Sequence, residues 1–122
     1  MLVAGGRRGA VAEDVLLELV AGGWEERTRM REGRQFHACT AHQGRLVVVG
    51  GADSGMQALK SVEFYDPLLD EWQAGPELPT GLKYGNAVSV AGTVWLVGGE
   101  ADMQEYSDKV TSVHIHVFRM YA

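Results

Sequence analysis

Glycine pairs that close aliphatic runs at a steady interval, strand-period alternation bounded by glycine and proline, and large aromatics recurring in the same register together predict an all-β chain. Gly50-Gly51 closes the run Leu46-Val47-Val48-Val49, Gly98-Gly99 closes Val94-Trp95-Leu96-Val97, and Gly5-Gly6 follows Leu2-Val3-Ala4. The period is about 45 to 50 residues, the range of propeller-type arrays. One such unit cannot bury its own apolar faces, so the units must stack. The predicted architecture is a partial β-propeller of antiparallel four-stranded sheets, one complete and two incomplete.

The register holds away from the glycines. A shift of 48 positions places Gly44 on Gly92, Val47 on Trp95, Val48 on Leu96, Trp24 on Trp72, Met30 on Leu78 and Leu17 on Tyr65. The first glycine pair stands only 45 positions before the second, which requires a three-residue gap between Gly6 and Trp24. Length changes of that kind fall in loops.

The expected units are residues 1–33, lacking an opening strand; 34–81, complete; and 82–122, lacking the last strand. In the first unit, residues 13–20 carry apolar side chains at a helical spacing, yet the repeat register makes this segment a strand. In the second, residues 37–43 alternate modestly, and 45–49 form an unbroken aliphatic run bounded by glycines, as in a buried strand. Residues 61–65 then alternate at the strand period until Asp66-Pro67, where proline lacks an N–H and Asp66 can cap the turn. A fourth short strand begins near Glu71-Trp72-Gln73. The third unit repeats the pattern at 84–90, 93–97 and 111–118.

Each landmark has a physical use. A glycine pair at a strand end removes two Cβ atoms, so another segment can approach closely or the backbone can turn through positive φ. Tyr65 and Trp72 each offer about 150 to 250 Å² for burial between one sheet and the next. Trp24 takes the same part in the first unit.

The string Gly44-Arg45-Leu46-Val47-Val48-Val49-Gly50-Gly51, followed by Ser61-Val62-Glu63-Phe64-Tyr65-Asp66-Pro67 and Asp70-Glu71-Trp72, resembles the kelch motif. It is most similar to the kelch repeats of BTB–kelch substrate adaptors. The resemblance implies that each unit is one propeller blade, with the glycine pair ending its second strand and the Tyr and Trp in its third and fourth. Two units depart from the pattern: Leu17-Glu18 and His116-Val117 stand where an aromatic–acid pair is expected. Propellers close with about 4 to 8 blades. The expectation is therefore a fragment of a longer protein, with the remaining blades supplied by that chain or by oligomerisation.

Composition narrows the classes of partner. The 122 residues are 46% hydrophobic and 22% charged, a globular balance, and the formal charge of −5 disfavours nucleic acid and anionic membrane. A lone Cys39 suits a reducing compartment, and no apolar run or signal pattern marks the start; a cytoplasmic location is expected, with the nucleus as the other choice.

Candidate chemistry is thin. His114-Ile115-His116 puts two imidazoles on one strand face without a third ligand, so no metal and no cofactor are expected. His37 and His42 flank Cys39, but a strand is expected to turn both imidazoles away from the thiol. Ser54 lies in a turn, Glu25-Glu26 and Asp70-Glu71 are solvated charges, and no phosphate-cradling glycine pattern occurs. An enzyme is disfavoured.

Function is then expected in the loops. In the resembling adaptors, peptides dock on the face made by the loops between second and third strands and between blades. That resemblance points to residues 7–14, 52–60 and 100–108, with 34–36 and 80–84 between blades. Phe36 and Tyr84 are the expected aromatic anchors, Arg7, Arg8 and Arg34 the charged donors, and Met56, Met103 and Tyr106 the adaptable contacts. The reading is a protein-interaction module serving a cullin-type ubiquitin ligase. A scaffolding or cytoskeletal kelch protein and a kelch-propeller enzyme are the alternatives.

Overall fold

A computed structural model describes residues 1–102 and the backbone of the strand at 115–119. Twelve strands follow in chain order: β1 (Leu2–Ala4), β2 (Arg7–Arg8), β3 (Val11–Ala12), β4 (Leu16–Val20), β5 (Gly23–Glu26), β6 (Ala38–His42), β7 (Arg45–Val49), β8 (Val62–Asp66), β9 (Glu71–Ala74), β10 (Asn86–Val90), β11 (Thr93–Val97) and β12 (Ile115–Arg119). Among the described residues there is no helix. Antiparallel pairing builds a first sheet in the order β1-β4-β5, a second as β6-β7-β8-β9 and a third as β10-β11-β12. These are blades of a partial propeller, as the repeat predicts, and the segment at 13–20 yields strand β4 rather than a helix. The small hairpin β2–β3 is an addition to what the sequence suggested.

Local chemistry sets the strand ends. Phe36 and Tyr84 sit in the left-handed region at φ 54° and 65°, so the extended strands begin two residues later, at Ala38 and Asn86. Gln43-Gly44 and Ala91-Gly92 are both left-handed pairs, with φ values of 50°/75° and 51°/77°. Each makes the two-residue hairpin turn whose twist matches its flanking strands, with His42 opposite Arg45 and Val90 opposite Thr93. At the end of β8 the Asp66 carboxylate accepts the Leu68 N–H at 2.9 Å, the turn cap that Asp66-Pro67 promised.

The core lies between sheets. Val47 and Val49 of β7, with Ala38 and Val62, meet Val94 and Leu96 of β11 and Leu78 and Leu82 of the linking segment. On the other side of the second sheet Tyr65 is fully buried, its ring 5.1 Å from that of half-buried Trp72. The indole Nε1–H donates to Thr28 C=O at 2.7 Å, and Asp70 accepts both the Thr28 N–H and the Tyr65 hydroxyl. Tyr65 and Trp72 therefore tie the second sheet to the tail of the first.

Register revises two sequence equivalences. Met1 accepts the Leu19 N–H just as Leu46 pairs with Tyr65, so Leu19, not Leu17, stands in the place of Tyr65. The three-residue difference is thus divided: one residue falls before β4, and two fall in the β4–β5 turn, where Val20 pairs directly with Gly23. In the third sheet Val94 pairs with Phe118, so an aromatic does occupy the Tyr65 position, and His116 pairs with Leu96 instead. A uniform shift of 48 fails at both places because the loops absorb the changes in length. Trp24, expected to pack between sheets, is 50% exposed, because it lies on the face of the first sheet turned away from the second.

Candidate functional site

The glycine pairs bring the blades' entering segments onto one face. Gly6 N–H donates to Arg34 C=O at 2.9 Å, and Gly51 N–H donates to Leu82 C=O at 2.8 Å. Arg34 and Leu82 stand 48 positions apart. A Cβ at Gly50 would clash with the Leu82 carbonyl oxygen, and one at Gly5 would lie 2.7 Å from that of Arg34. The pairs are thus notches for the next unit's backbone, the close approach the sequence called for. Gly98 and Gly99 share the positive φ, at 74° and 104°.

Two residues beyond each of those carbonyls stand Phe36 and Tyr84. Tyr84 N–H donates to Phe36 C=O at 2.9 Å, and the two rings lie 4.7 Å apart at 43°. Both side chains stay partly open, at 40% and 47% exposure. Bulky residues in the left-handed region cost about 1 to 2 kcal/mol each, and such strain concentrates at functional positions. The Lys83 ammonium lies 5.9 Å from the Tyr84 ring centroid, donates to Met56 C=O at 2.9 Å, and pairs with Asp102 at 3.5 Å.

The loop beneath this pair is held firmly. Gln35 bridges Ala52 through both backbone groups, Asp53 accepts the N–H groups of Gly55 and Gln57, and Asp102 accepts that of Ala58. Ser54 accepts the Ala12 N–H at 2.9 Å, which joins the loops of the first two blades and confirms its turn role. Arg7 and Arg8 are exposed on β2, with Arg8 paired to Glu13 at 3.2 Å. Met56 is half-buried, its sulfur accepting from Gln35 Nε2. Met103 and Tyr106 lie outside the described residues.

Arg34 requires correction. Expected as a donor to a partner, it is wholly buried, and its guanidinium is committed inside the second sheet. It donates to Glu63 at 2.7 Å, to Gly50 C=O at 2.7 Å, and to both the carbonyl and the hydroxyl of Ser61. Glu63, also buried, takes the Arg31 N–H on its other oxygen. Nothing in the string Gly33-Arg34-Gln35 distinguishes this arginine from an exposed one; the paired Glu63 amid Val62 and Phe64 was the available signal.

No nucleophilic arrangement emerges around Cys39. His37 is two residues from Cys39, so strand parity does not separate the two as expected. His37 instead lies outside β6, packed against Gly5 and Gly51, and its buried Nδ1 has no hydrogen-bond partner among the described residues. Burial, reinforced by the Arg34 charge, lowers the His37 pKa, and desolvation raises that of the Cys39 thiol, the opposite of activation. The sequence did not foretell the 2.6 Å contact between His42 Nδ1 and Ser89 Oγ. It joins the second and third sheets, and the buried Nε2 has no partner among the described residues, so no third group orients the pair. The described residues hold no cluster of three or more potential metal ligands.

Blades notched by glycine pairs, with a face of entering loops, define a kelch-repeat protein, and the Kelch motif matches residues 33–79. Within that class the chain is similar to the Kelch-like proteins. It is 37% identical over 87 residues to Kelch-like protein 35 of Mus musculus, across 71% of this chain and 15% of that protein. It is 41% identical over 83 residues to Kelch-like protein 34 of Homo sapiens, across 67% of this chain and 13% of that protein. Beta-scruin of Limulus polyphemus is 31% identical over 114 residues, across 93% of this chain and 12% of that protein. The chain thus spans less than a sixth of the length of these relatives. As a set of kelch repeats, it is a protein-interaction module.

Proposed function

We propose that this module recognises substrate proteins for a cullin-type ubiquitin ligase, through the loop face centred on Phe36 and Tyr84. The observation that carries the reading is the exposed, stacked pair held in left-handed backbone above a pinned loop. A site that bears backbone strain to present two aromatic faces suits capture of a protein segment better than chemistry. Lys83 beside Tyr84, with Arg7 and Arg8 on the neighbouring hairpin, supplies a polar rim. The similarity to the Kelch-like proteins supports the ligase setting. The scruin similarity, which runs along more of the chain, supports a scaffolding kelch protein as the second reading.

The test compares capture from cell extract by the chain and by its Tyr84→Ala variant. Proteins retained by the first and lost by the second, and accumulating in cells when cullin activation is blocked, are the expected result. Retention unaffected by Tyr84→Ala would remove this face from the account. Partners indifferent to cullin inhibition, together with co-sedimentation on cytoskeletal filaments, would favour the scaffolding reading.

A further inference from the structure

The loops of successive blades are latched in the same way at both junctions, but with different chemistry. Arg7 and Ala52 each directly follow a glycine pair, and Ala12 lies opposite Arg7 as Ala58 lies opposite Ala52, so Ala12 and Ala58 are equivalent. Each gives its N–H to the next blade: Ala12 donates to the Ser54 hydroxyl at 2.9 Å, and Ala58 to the Asp102 carboxylate at 2.8 Å. Ser54 and Asp102 each stand three residues after their own glycine pair, 48 positions apart. A hydroxyl therefore closes the first latch where a carboxylate closes the second.

The carboxylate does more than accept that N–H. Its other oxygen pairs with Lys83 at 3.5 Å. At the first latch the cation is in place without an anion to answer it. Arg7, the cross-strand neighbour of Ala12, is exposed, and among the described residues its guanidinium meets only the Gly9 carbonyl of its own hairpin. The nearby carboxylates are already engaged, Asp53 by the N–H groups of Gly55 and Gln57 and Glu13 by Arg8. Ser54 is exposed at the tip of its turn, and neither its N–H nor its C=O is hydrogen-bonded among the described residues, which leaves it open to a modifying enzyme.

We propose that Ser54 is a phosphorylation site, whose phosphate converts the hydroxyl latch between the first two blades into an anionic one of the kind Asp102 makes. The phosphoryl group comes from ATP through a protein kinase. The bond from Ser54 Oγ to the γ-phosphorus forms, the bond from that phosphorus to the β–γ bridging oxygen breaks, ADP leaves, and the hydroxyl proton passes to the kinase's base. The product carries a charge of about −1.5 to −2 at pH 7 and three strong acceptor oxygens. One oxygen keeps the Ala12 N–H in a charge-assisted bond, and the others take the Arg7 guanidinium. This site is separate from the Phe36–Tyr84 pair and does not depend on its function.

Two measurements test the proposal. The whole 122-residue chain, expressed in a eukaryotic host with phosphatases inhibited, should carry phosphate on Ser54 when mapped by mass spectrometry; an unmodified Ser54 would overturn the assignment. In the chain with phosphoserine installed at position 54, the Ala12 amide should exchange at least tenfold more slowly than in the unmodified chain, with Ser54→Asp between the two and Ser54→Ala faster than either. The phosphate should titrate, by its phosphorus resonance, below the usual value of about 6, and Arg7→Gln, a change at an exposed residue, should return it toward that value. Unchanged Ala12 exchange, or a titration that Arg7→Gln does not move, would overturn the anionic latch.

Discussion

The two junctions between blades share one backbone device and fill it with opposite chemistry. Between the first and second blades, the residue that enters over the glycine pair is Arg34, buried and held by Glu63, and polar contacts join the two sheets beside it: Trp72 to Thr28 and Thr28 to Asp70. Between the second and third, the same position is Leu82, buried among Val47, Val49, Val94 and Leu96. The backbone slot tolerates either because the notch is set by glycine and by one main-chain hydrogen bond. The side chains differ in how they fail. A leucine loses only contacts when a neighbour is trimmed, whereas a buried arginine is left with an unanswered charge.

That contrast predicts its own largest effect. Glu63→Ala should cost about 3 to 5 kcal/mol by stranding the Arg34 charge, read by urea unfolding. The joint change Arg34→Leu with Glu63→Leu should recover most of that loss, as hydrophobic replacement of a buried ion pair often does. If the single variant unfolds no more readily than the unaltered chain, the ion pair is not buried as described. Leu82→Ala should cost about 2 to 5 kcal/mol at the apolar junction, with no second substitution that restores it so simply.

Glycine substitutions sharpen the shared element. Gly50→Ala places a methyl against the Leu82 carbonyl in addition to the left-handed backbone, while Gly98→Ala meets nothing within 4 Å among the described residues. The second should cost only the conformational term of about 1 to 2 kcal/mol, and the first clearly more. Equal losses in thermal unfolding would remove the notch from the account.

A smaller effect should appear with pH, and at the polar junction alone. Because the folded His37 pKa lies below its ordinary 6.5, chiefly through burial, the unfolded chain binds more protons as pH drops beneath that value. Stability is then complete above about pH 6.5 and declines on acidification until the folded pKa is passed. The His37→Gln variant should show a shallower decline over that window, measured by unfolding at fixed urea; an identical profile would contradict it. The smallest change belongs to Tyr84→Gly. Relief of about 1 to 2 kcal/mol of backbone strain offsets a stacking loss of about 0.5 to 1.5 kcal/mol, so the melting temperature should hold while partner capture is lost.

Much of this architecture is legible in the sequence, because repetition carries it. The glycine pairs, the aliphatic runs before them and Asp66-Pro67 located the second blade nearly residue by residue, and the register overrode the helical spacing at 13–20. The misreadings arose where loops change length: a fixed shift assigned Leu17 and His116 to positions that pairing gives to Leu19 and Phe118. The candidate face was legible in part. Phe36 and Tyr84 were singled out from their place before the first strands, but neither their stacking nor their left-handed backbone follows from residue type. Arg34 was misassigned because side-chain burial depends on Glu63, 29 positions away, and composition cannot see that distance.

The central claim is that successive blades are joined by a carbonyl seated on a glycine pair. Amide hydrogen exchange at Gly6 and Gly51 reads it directly, since these N–H groups donate to Arg34 and Leu82. Both amides should exchange as slowly as those of Val47 and Val49 in the buried strand. Exchange at the rate of an unstructured chain, with the β7 amides still protected, would show that the blades fold singly and are not joined there.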